Sequence, residues 1–272
     1  MKLNRMARVL LAALCVFLLT LFFFSVWKVL SIMRDYKTAE RRYSALSDSV
    51  VSAQAPAQPA PTPAPETEGS DQAGSEAETS MRERSPVSVD FAELGKLCGD
   101  VVGWLYLPNT PINYPLVQGQ DNSYYLHRFL DGSENGGGTL FVDFVCPSDF
   151  SGRNTIIYGH NMRDGSMFAL IDDYADVRFY EQHPVMYLNT PKQNYRIEFF
   201  SGFTTDPESF VYSVDFASEN DYVAFLNSLL ASSEIRCGTT VSSSDRVVTL
   251  STCTYSGEDV RFVLCGKLVE ID

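Results

Sequence analysis

A long apolar run near the start of the chain constrains its fold more than any other feature of the sequence. From Val9 to Trp27 the sequence reads VLLAALCVFLLTLFFFSVW, and VLSIM continues the run beyond Lys28. A helix rises about 1.5 Å per residue, so this stretch nearly spans a hydrocarbon core of about 30 Å. A lysine near a helix end can extend to the lipid headgroups. Residues 9–33 are therefore predicted to be a transmembrane anchor.

A cleaved signal peptide is the alternative interpretation of the same run. Its apolar region is usually about 7–15 residues long and is followed by a small-residue cleavage site. Here the run is longer, and the bulky residues Val26-Trp27-Lys28 lie at its end, so a retained anchor fits better. Basic residues precede the run and no acidic residue occurs before Asp35. This asymmetry predicts that residues 1–8 form a cytoplasmic tail and that the chain after residue 34 is extracellular.

Residues 34–86 are predicted to be a juxtamembrane segment followed by a linker. Residues 35–50 could extend the membrane helix briefly, whereas residues 51–86 contain six prolines and scarcely any large apolar residue. Such a composition cannot bury a core and predicts an extended, disordered tether. At roughly 3.1 Å per residue in the polyproline form, its reach is on the order of 100 Å. That length would let a domain work away from the bilayer.

The rest of the chain, residues 87–272, has the pattern of one globular domain. Helices are expected at 89–98, near 167–175 and near 219–232. Eight further runs are rich in β-branched and aromatic residues and are bounded by Gly, Asn, Asp or Pro, which is typical of strands. Eight strands with few helices predict a closed or nearly closed β-barrel. The strand-like runs are residues 101–107, 111–117, 138–144, 154–159, 185–189, 195–203, 246–252 and 260–269.

Charge and cysteine usage exclude several functions. After residue 33 the chain carries 17 basic and 34 acidic residues, a formal charge of −17. This balance argues against a nucleic-acid partner, which needs basic patches to neutralise phosphates. The six cysteines include no C-x-x-C pair, and a domain of this size needs no disulfide scaffold. The sequence also lacks a metal-ligand cluster and a phosphate-binding loop, so we predict no cofactor and no metal.

A cysteine and an arginine are expected to meet at the ends of two strands. Cys253 ends the run RVVTLSTC, and Arg261 begins the run VRFVLCGKLV after a turn. If the two strands pair as a hairpin, Arg261 lies near Cys253. An arginine beside a cysteine lowers the pKa of the thiol and favours the nucleophilic thiolate. The alternative is a buried structural cysteine with an arginine at the surface.

His160 is the best candidate for a proton-transfer partner of such a cysteine. The chain has three histidines, and His160 directly follows the strand-like run NTIIYG. Strand ends on a rigid scaffold are suitable places for catalytic groups. His127 and His183 are interpreted as surface residues.

Taken together, these residues carry a resemblance to a known family. TLSTC (249–253) followed by Arg261, with YGH (158–160) upstream, resembles the active-site signature of the sortases. The segments 103–126, 158–174 and 249–269 resemble class B members in particular. The resemblance covers roughly residues 88–272. It implies an eight-stranded sortase barrel in which the helix at 219–232, between the sixth and seventh strands, is the extra helix of class B.

The resemblance also implies an activity and the residues that perform it. Cys253 would be the nucleophile, His160 the acid and base, and Arg261 the electrostatic stabiliser of an extracellular transpeptidase. The enzyme would cleave a C-terminal sorting motif of a secreted protein after its threonine, through a thioacyl intermediate. It would then join the product to an amine of the cell wall, such as a peptidoglycan cross-bridge. Class B relatives use NPQTN-, LPXTG- or PPXTG-like motifs. The resemblance assigns the substrate groove to Asn122, Leu126, Tyr158, Ser251 and Thr205.

Two other functions remain open at the level of sequence. A cysteine endopeptidase would hydrolyse the same thioacyl intermediate, because the catalytic residues do not distinguish water from an amine as acceptor. A membrane-tethered binding module would use the barrel only to present a groove. Cys253→Ala would leave the function of such a module intact.

Overall fold

A computed structural model describes residues 5–54, 83–253 and 260–272. The chain divides into two compact units, Met1–Ala45 and Leu46–Asp272. Helix α1, Arg5–Val50, begins in the first unit and ends in the second, so the helix extends well past the apolar run. In the part of the chain that the structure describes, one segment is long and apolar enough to cross a membrane. It is Val9–Ser31, with a mean hydropathy of 2.8, and a signal sequence would have the same properties.

Two short strands lie at the two ends of the expected linker. Strand β1, Val51–Ala53, pairs antiparallel with strand β2, Val87–Val89. This corrects the expectation of a tether over all of residues 51–86, because its first residues are a strand and its two ends lie side by side. The expected disorder concerns residues 55–82, which lie outside the described residues.

In the second unit, eight strands close into a barrel in the order β10-β8-β7-β3-β4-β5-β6-β9. Neighbouring strands are antiparallel except for the parallel pairs β4–β5 and β6–β9. The expected barrel is confirmed, and each strand overlaps the run that predicted it. The strands are β3 Val101–Tyr106, β4 Asn113–Val117, β5 Leu140–Val142, β6 Asn154–Tyr158, β7 Val185–Asn189, β8 Asn194–Thr205, β9 Val247–Cys253 and β10 Arg261–Ile271.

Two of the expected helices form as α-helices. Helix α2, Phe91–Leu97, begins where the Asp90 carboxylate accepts hydrogen bonds from two backbone N–H groups of the first turn. Helix α4, Glu219–Ser232, begins at Ser218, which caps it through the N–H of Asp221. It lies between the sixth and seventh barrel strands, as the resemblance implies. Its buried face (Tyr222, Phe225, Leu226 and Leu229) packs into an apolar cluster with residues of β8, β9 and β10.

The remaining helical segments are short. Helix α3, Val177–Gln182, was not expected from the sequence; Asp176 caps it by accepting from the N–H of Arg178. The helix expected near 167–175 is a 3₁₀ helix, Ala169–Ala175. Two further 3₁₀ helices, Tyr124–His127 and Phe210–Tyr212, contribute residues to the cavity of the candidate site.

The residues just before β2 are attached to the barrel. Glu83 forms an ion pair with Arg196 of β8 and accepts a hydrogen bond from the Tyr187 hydroxyl at 3.0 Å. The backbone carbonyl of Glu83 accepts from the N–H of Asp272 at 2.9 Å, and Ser85 is buried. The ordered domain therefore begins before residue 87, the boundary expected from the sequence.

Candidate active site

Four strand ends meet at one rim of the barrel. Tyr158, at the end of β6, is paired in parallel register with Ser251 of β9. Cys253, the last residue of β9, is paired with Arg261, the first residue of β10. Arg261 is paired on its other side with Thr205, the last residue of β8. The barrel thus brings the expected hairpin into the register that the sequence suggested.

A cavity of about 340 Å³ opens beside this rim. Six of the eight site residues expected from the sequence line it, namely Asn122, Leu126, Tyr158, His160, Ser251 and Arg261. The other two are placed beside them through the backbone: Cys253 and Thr205 are the two strand partners of Arg261. The sequence did not single out four further lining residues, which are Phe141, Gly159, Pro207 and Tyr212.

Close packing at Gly159 positions the backbone of His160. A Cβ atom at residue 159 would lie 2.5 Å from Leu140 Cδ2 and 2.6 Å from Phe168 Cδ2, so no side chain fits there. The Gly159 N–H donates to the Ser251 carbonyl at 3.2 Å, and the His160 carbonyl accepts from the Phe168 N–H at 2.9 Å. The chain can therefore pass close to Leu140 and Phe168 after β6 and present the imidazole at the cavity.

The His160 ring has a defined tautomer. Its Nε2 lies 2.8 Å from the carbonyl oxygen of Leu126, and a carbonyl can only accept, so Nε2 carries a proton. The ring also stacks on that of His127, with centroids 5.4 Å apart. Burial lowers the pKa of His160, and the positive charges of His127 and Arg261 lower it further, although the bond to Leu126 opposes them. The imidazole is therefore favoured in its neutral form, with Nδ1 as the unprotonated nitrogen.

A buried carboxylate fixes one wall of the cavity. Asp143, which follows β5, is 8% exposed. Its Oδ2 accepts hydrogen bonds from Asn122 Nδ2 and from the Tyr158 hydroxyl, both at 2.9 Å. The sequence placed Asp143 at the end of a predicted strand without a role, and an acidic residue in an otherwise apolar run was the available signal.

A second wall is formed by the connection between β8 and α4, which contributes Pro207 and Tyr212. The Tyr212 hydroxyl lies 2.9 Å from Ser251 Oγ, and its ring stacks on that of Tyr158 with centroids 6.2 Å apart. These contacts link this part of the chain to both β6 and β9. Tyr212 therefore joins the candidate site although no sequence motif pointed to it.

Asn154, the first residue of β6, holds this connection in place from a buried position. It is fully buried, and its Nδ2 donates to the carbonyls of Val211 and Ser213, each at 2.9 Å. Its Oδ1 accepts from the Thr249 hydroxyl at 2.9 Å. Because these bonds flank residue 212 on both sides, Asn154 determines where the Tyr212 ring lies.

The other cysteines of the barrel are poor nucleophiles. Burial raises the pKa of Cys265 to about 12, and the pKa values of Cys146 and Cys237 to about 11. Cys98 is buried with its sulfur 3.3 Å from the Tyr125 hydroxyl. Thiolate is the reactive form of cysteine. Burial disfavours the thiolate at the first three of these cysteines and shields the sulfur of Cys98 from a substrate. Cys253 is the cysteine that the strand register places at the rim, paired with Arg261.

Comparison with known proteins agrees with this geometry. The family model for the sortase domain matches residues 105–269. Sortase B of Listeria monocytogenes is 37% identical over 182 residues, which cover 66% of this chain and 74% of the relative. Sortase B of Staphylococcus aureus is 33% identical over 187 residues, which cover 68% of this chain and 77% of the relative.

Solved structures give the same result. The Staphylococcus aureus sortase B–substrate complex has a TM-score of 0.64 at 33% identity, over 67% of this chain and 85% of that one. A sortase B structure from B. anthracis has a TM-score of 0.69 at 30% identity, over 88% of this chain and 99% of that one. The chain therefore belongs to the sortase family and is a class B sortase, the class of cell-wall sorting transpeptidases.

Proposed function

We propose that the chain cleaves a C-terminal sorting motif of a secreted protein after its threonine and joins the product to an amine of the cell wall, through a thioacyl intermediate on Cys253. The observation that carries the proposal is the register of β9 and β10, which pairs Cys253 with Arg261 at the rim of a cavity lined by His160. A nucleophile, a proton carrier and a cation thus lie beside one peptide-sized groove.

In the first half of the reaction, the Cys253 sulfur attacks the carbonyl carbon of the threonine. The thiol proton moves to Nδ1 of His160, because Nε2 is already protonated and bonded to the Leu126 carbonyl. When the C–N bond breaks, the imidazolium returns this proton to the leaving amine. A histidine whose pKa is lowered gives up that proton readily.

In the second half, the incoming amine attacks the thioacyl carbon and the Cys253 sulfur leaves. His160 Nδ1 accepts the proton that the amine loses and passes it to the departing Cys253 thiolate, which restores the neutral thiol and the neutral imidazole. Arg261 stabilises the negative charge that develops on the substrate oxygen in both halves, a role that favours a fixed cation in a partly dry site. Splitting acyl transfer in this way replaces one difficult step by two easier ones.

The groove residues implied by the resemblance would bind the sorting peptide. Asn122, Tyr158 and Ser251 offer polar groups, and Leu126 offers an apolar surface. Thr205, the strand partner of Arg261, would contact the peptide at the end of the groove, outside the residues that line the cavity.

The proposed setting is the outer face of a membrane. The run Val9–Ser31 supports an anchor by its length and hydropathy, and the basic residues before it favour a cytoplasmic N-terminus. The segments would then be a tail at 1–8, an anchor at 9–33, a juxtamembrane segment and linker at 34–86 and a catalytic domain at 87–272, with Glu83 and Ser85 of the linker end packed on the barrel. The barrel domain would lie outside the cell, where secreted substrates and peptidoglycan amines are found.

The test uses the full-length chain in detergent micelles, as wild type and as Cys253→Ala. Fluorogenic peptides with NPQTN-, LPQTG- and PPKTG-type cores are incubated with and without triglycine, and the products are identified by mass spectrometry. We expect cleavage after threonine and an amine-ligated product, both absent with Cys253→Ala. Hydrolysis alone with every amine would favour the endopeptidase. No Cys253-dependent cleavage would overturn the proposal in favour of a binding module.

A further inference from the structure

The carboxylate of Asp143 accepts every hydrogen bond that it makes. Oδ2 accepts from Asn122 Nδ2 and from the Tyr158 hydroxyl, and Oδ1 accepts from the backbone N–H of Val145 at 3.1 Å. A carboxylate has no proton to donate, so each partner must point a hydrogen at Asp143. The direction of these bonds is therefore fixed by chemistry.

This direction determines what Tyr158 can offer to a ligand. A phenol has one hydrogen, and in Tyr158 that hydrogen is directed to Asp143. Burial raises the pKa of Tyr158, and the charge of Asp143 raises it further, so the phenol stays protonated. Tyr158 lines the cavity, and its hydroxyl oxygen is left with lone pairs only. Tyr158 can accept a hydrogen bond from a ligand but cannot donate one.

The orientation of the Asn122 amide is fixed by the same argument. Its Oδ1 accepts from the backbone N–H of Phe144 at 3.1 Å, and its Nδ2 donates to Asp143. A flipped amide would set an acceptor against the carboxylate and a donor against the N–H, so the observed orientation is the stable one. One hydrogen of Nδ2 is used by Asp143, and the second is available to a ligand at the cavity.

An extended peptide presents both kinds of group along its backbone, N–H donors and carbonyl acceptors. The wall held by Asp143 presents the complementary pair, an acceptor at Tyr158 and a donor at Asn122. We propose that Asp143 is a positioning residue that sets this hydrogen-bond polarity, so that Tyr158 accepts from a backbone N–H of the sorting peptide while Asn122 donates to a carbonyl. The inference rests on the proposed function, because it concerns how the same groove binds its peptide.

The test compares the full-length wild type with Asp143→Asn, in detergent, on a sorting peptide that the wild type cleaves. Asp143→Asn keeps the shape but replaces one carboxylate oxygen by an N–H₂ group, which must face either the Val145 N–H or the donors of Asn122 and Tyr158; Asp143→Ala removes all three acceptor bonds. A set of ester analogues, each lacking one backbone N–H of the peptide, reports which N–H is recognised. Asp149→Asn is the matched control, because Asp149 is exposed on the same β5–β6 connection and does not line the cavity.

We expect Asp143→Asn to raise KM for the all-amide peptide about tenfold, the effect of losing about one hydrogen bond, with a smaller change in kcat. In the wild type, one ester analogue should bind about tenfold more weakly than the parent peptide. Tyr158→Phe and Asp143→Asn should both lose this discrimination, whereas Asp149→Asn should keep it.

Three outcomes would overturn the inference. The first is that Asp143→Asn and Asp143→Ala both keep the KM and the ester pattern of the wild type. The second, decisive if Asp143→Asn does not fold, is a Tyr158→Phe enzyme with the same ester penalty as the wild type at every position. The third is a wild type that cleaves no sorting peptide, which removes the proposed function and this inference with it. Cleavage without an Asp143 effect removes the inference alone.

Discussion

The two walls of the cavity are held by different kinds of buried polar side chain. Asp143 holds the first wall, and two of its partners, Asn122 and Tyr158, line the cavity themselves. Asn154 holds the second wall, but two of its partners are backbone carbonyls on either side of Tyr212. The charged anchor lies next to the cavity, and the neutral anchor is fully buried.

This difference follows from the cost of burial. A charge is far more expensive than an amide to place in a dry interior, so the carboxylate belongs where polar ligand-facing groups surround it. An amide can satisfy two carbonyls and one hydroxyl at a fully buried position without any net charge. We therefore expect Asp143 to act mainly on peptide binding, and Asn154 on both stability and binding.

The strongest test of this contrast is Asn154→Ala. It leaves the carbonyls of Val211 and Ser213 and the hydroxyl of Thr249 without their partner, which should lower the free energy of unfolding by about 2–4 kcal/mol. Tyr212 should also lose its fixed position, so KM for the sorting peptide should rise. Urea unfolding and steady-state kinetics measure the two effects. A stable variant with unchanged KM would show that the second wall does not depend on Asn154.

Thr249→Val should separate the two roles of Asn154. It removes the hydroxyl that donates to Asn154 Oδ1 but leaves both bonds to the backbone carbonyls. We expect the free energy of unfolding to fall by about 1–2 kcal/mol, because Oδ1 stays buried without a donor. KM should be close to that of the wild type. A large increase in KM would contradict the conclusion that the hydrogen bonds of Asn154 Nδ2 hold the β8–α4 connection in place.

Tyr212→Phe probes the contact between the second wall and β9. The phenylalanine keeps the ring that stacks on Tyr158 but loses the hydroxyl bonded to Ser251. We expect a loss of about 0.5–1.5 kcal/mol in peptide binding or stability. A double-mutant cycle with Ser251→Ala isolates this bond, since the second change should add little to the first. Fully additive effects would mean that the two hydroxyls act separately.

His127→Ala should have the smallest effect. It should change the pH dependence of the reaction rate and leave both walls of the cavity intact. It removes a positive charge and a stacked ring from His160, so the pKa of His160 should rise toward its ordinary value of about 6.5. The limb of the pH–rate profile governed by His160 should then move to higher pH. An unchanged profile would show that His127 does not influence the imidazole.

His127→Ala should also change how stability depends on pH, because folding and the protonation of His160 are linked. When folding lowers the pKa of a histidine, the free energy of unfolding increases as pH rises from the lowered pKa to the ordinary value. The free energy of unfolding decreases as pH falls through the same range. In His127→Ala the pKa of His160 in the folded protein lies closer to its ordinary value, so this pH range narrows. The variant should therefore lose less stability on acidification than the wild type, as measured by urea unfolding at a series of pH values.

The sequence predicted those parts of the fold that local pattern controls. Strand β7 and helix α4 have the bounds that were expected, because turn residues and a serine cap define their ends. Strand β1 was missed because three residues become a strand only through pairing with β2, far along the chain. Helix α3 was missed because six residues are too few to show helical periodicity.

The same distinction applies to the site. Cys253, His160 and Arg261 could be singled out from the sequence because each stands at or just past a strand end within a short recognisable motif. Asp143, Asn154 and Tyr212 act through partners distant in sequence: Asn122 lies 21 positions from Asp143, and Ser213 lies 59 positions from Asn154. No local pattern carries such contacts, since they exist only after the barrel has closed.

Because β1 pairs with β2, the length of the proline-rich stretch does not set the distance between its two ends. The N–H of Gln54 donates to the carbonyl of Pro86 at 2.8 Å, so the two ends of the stretch lie next to each other. However long the intervening stretch is, it adds nothing to the distance between Gln54 and Pro86. Related chains could gain or lose many residues here without changing how far the enzyme can extend.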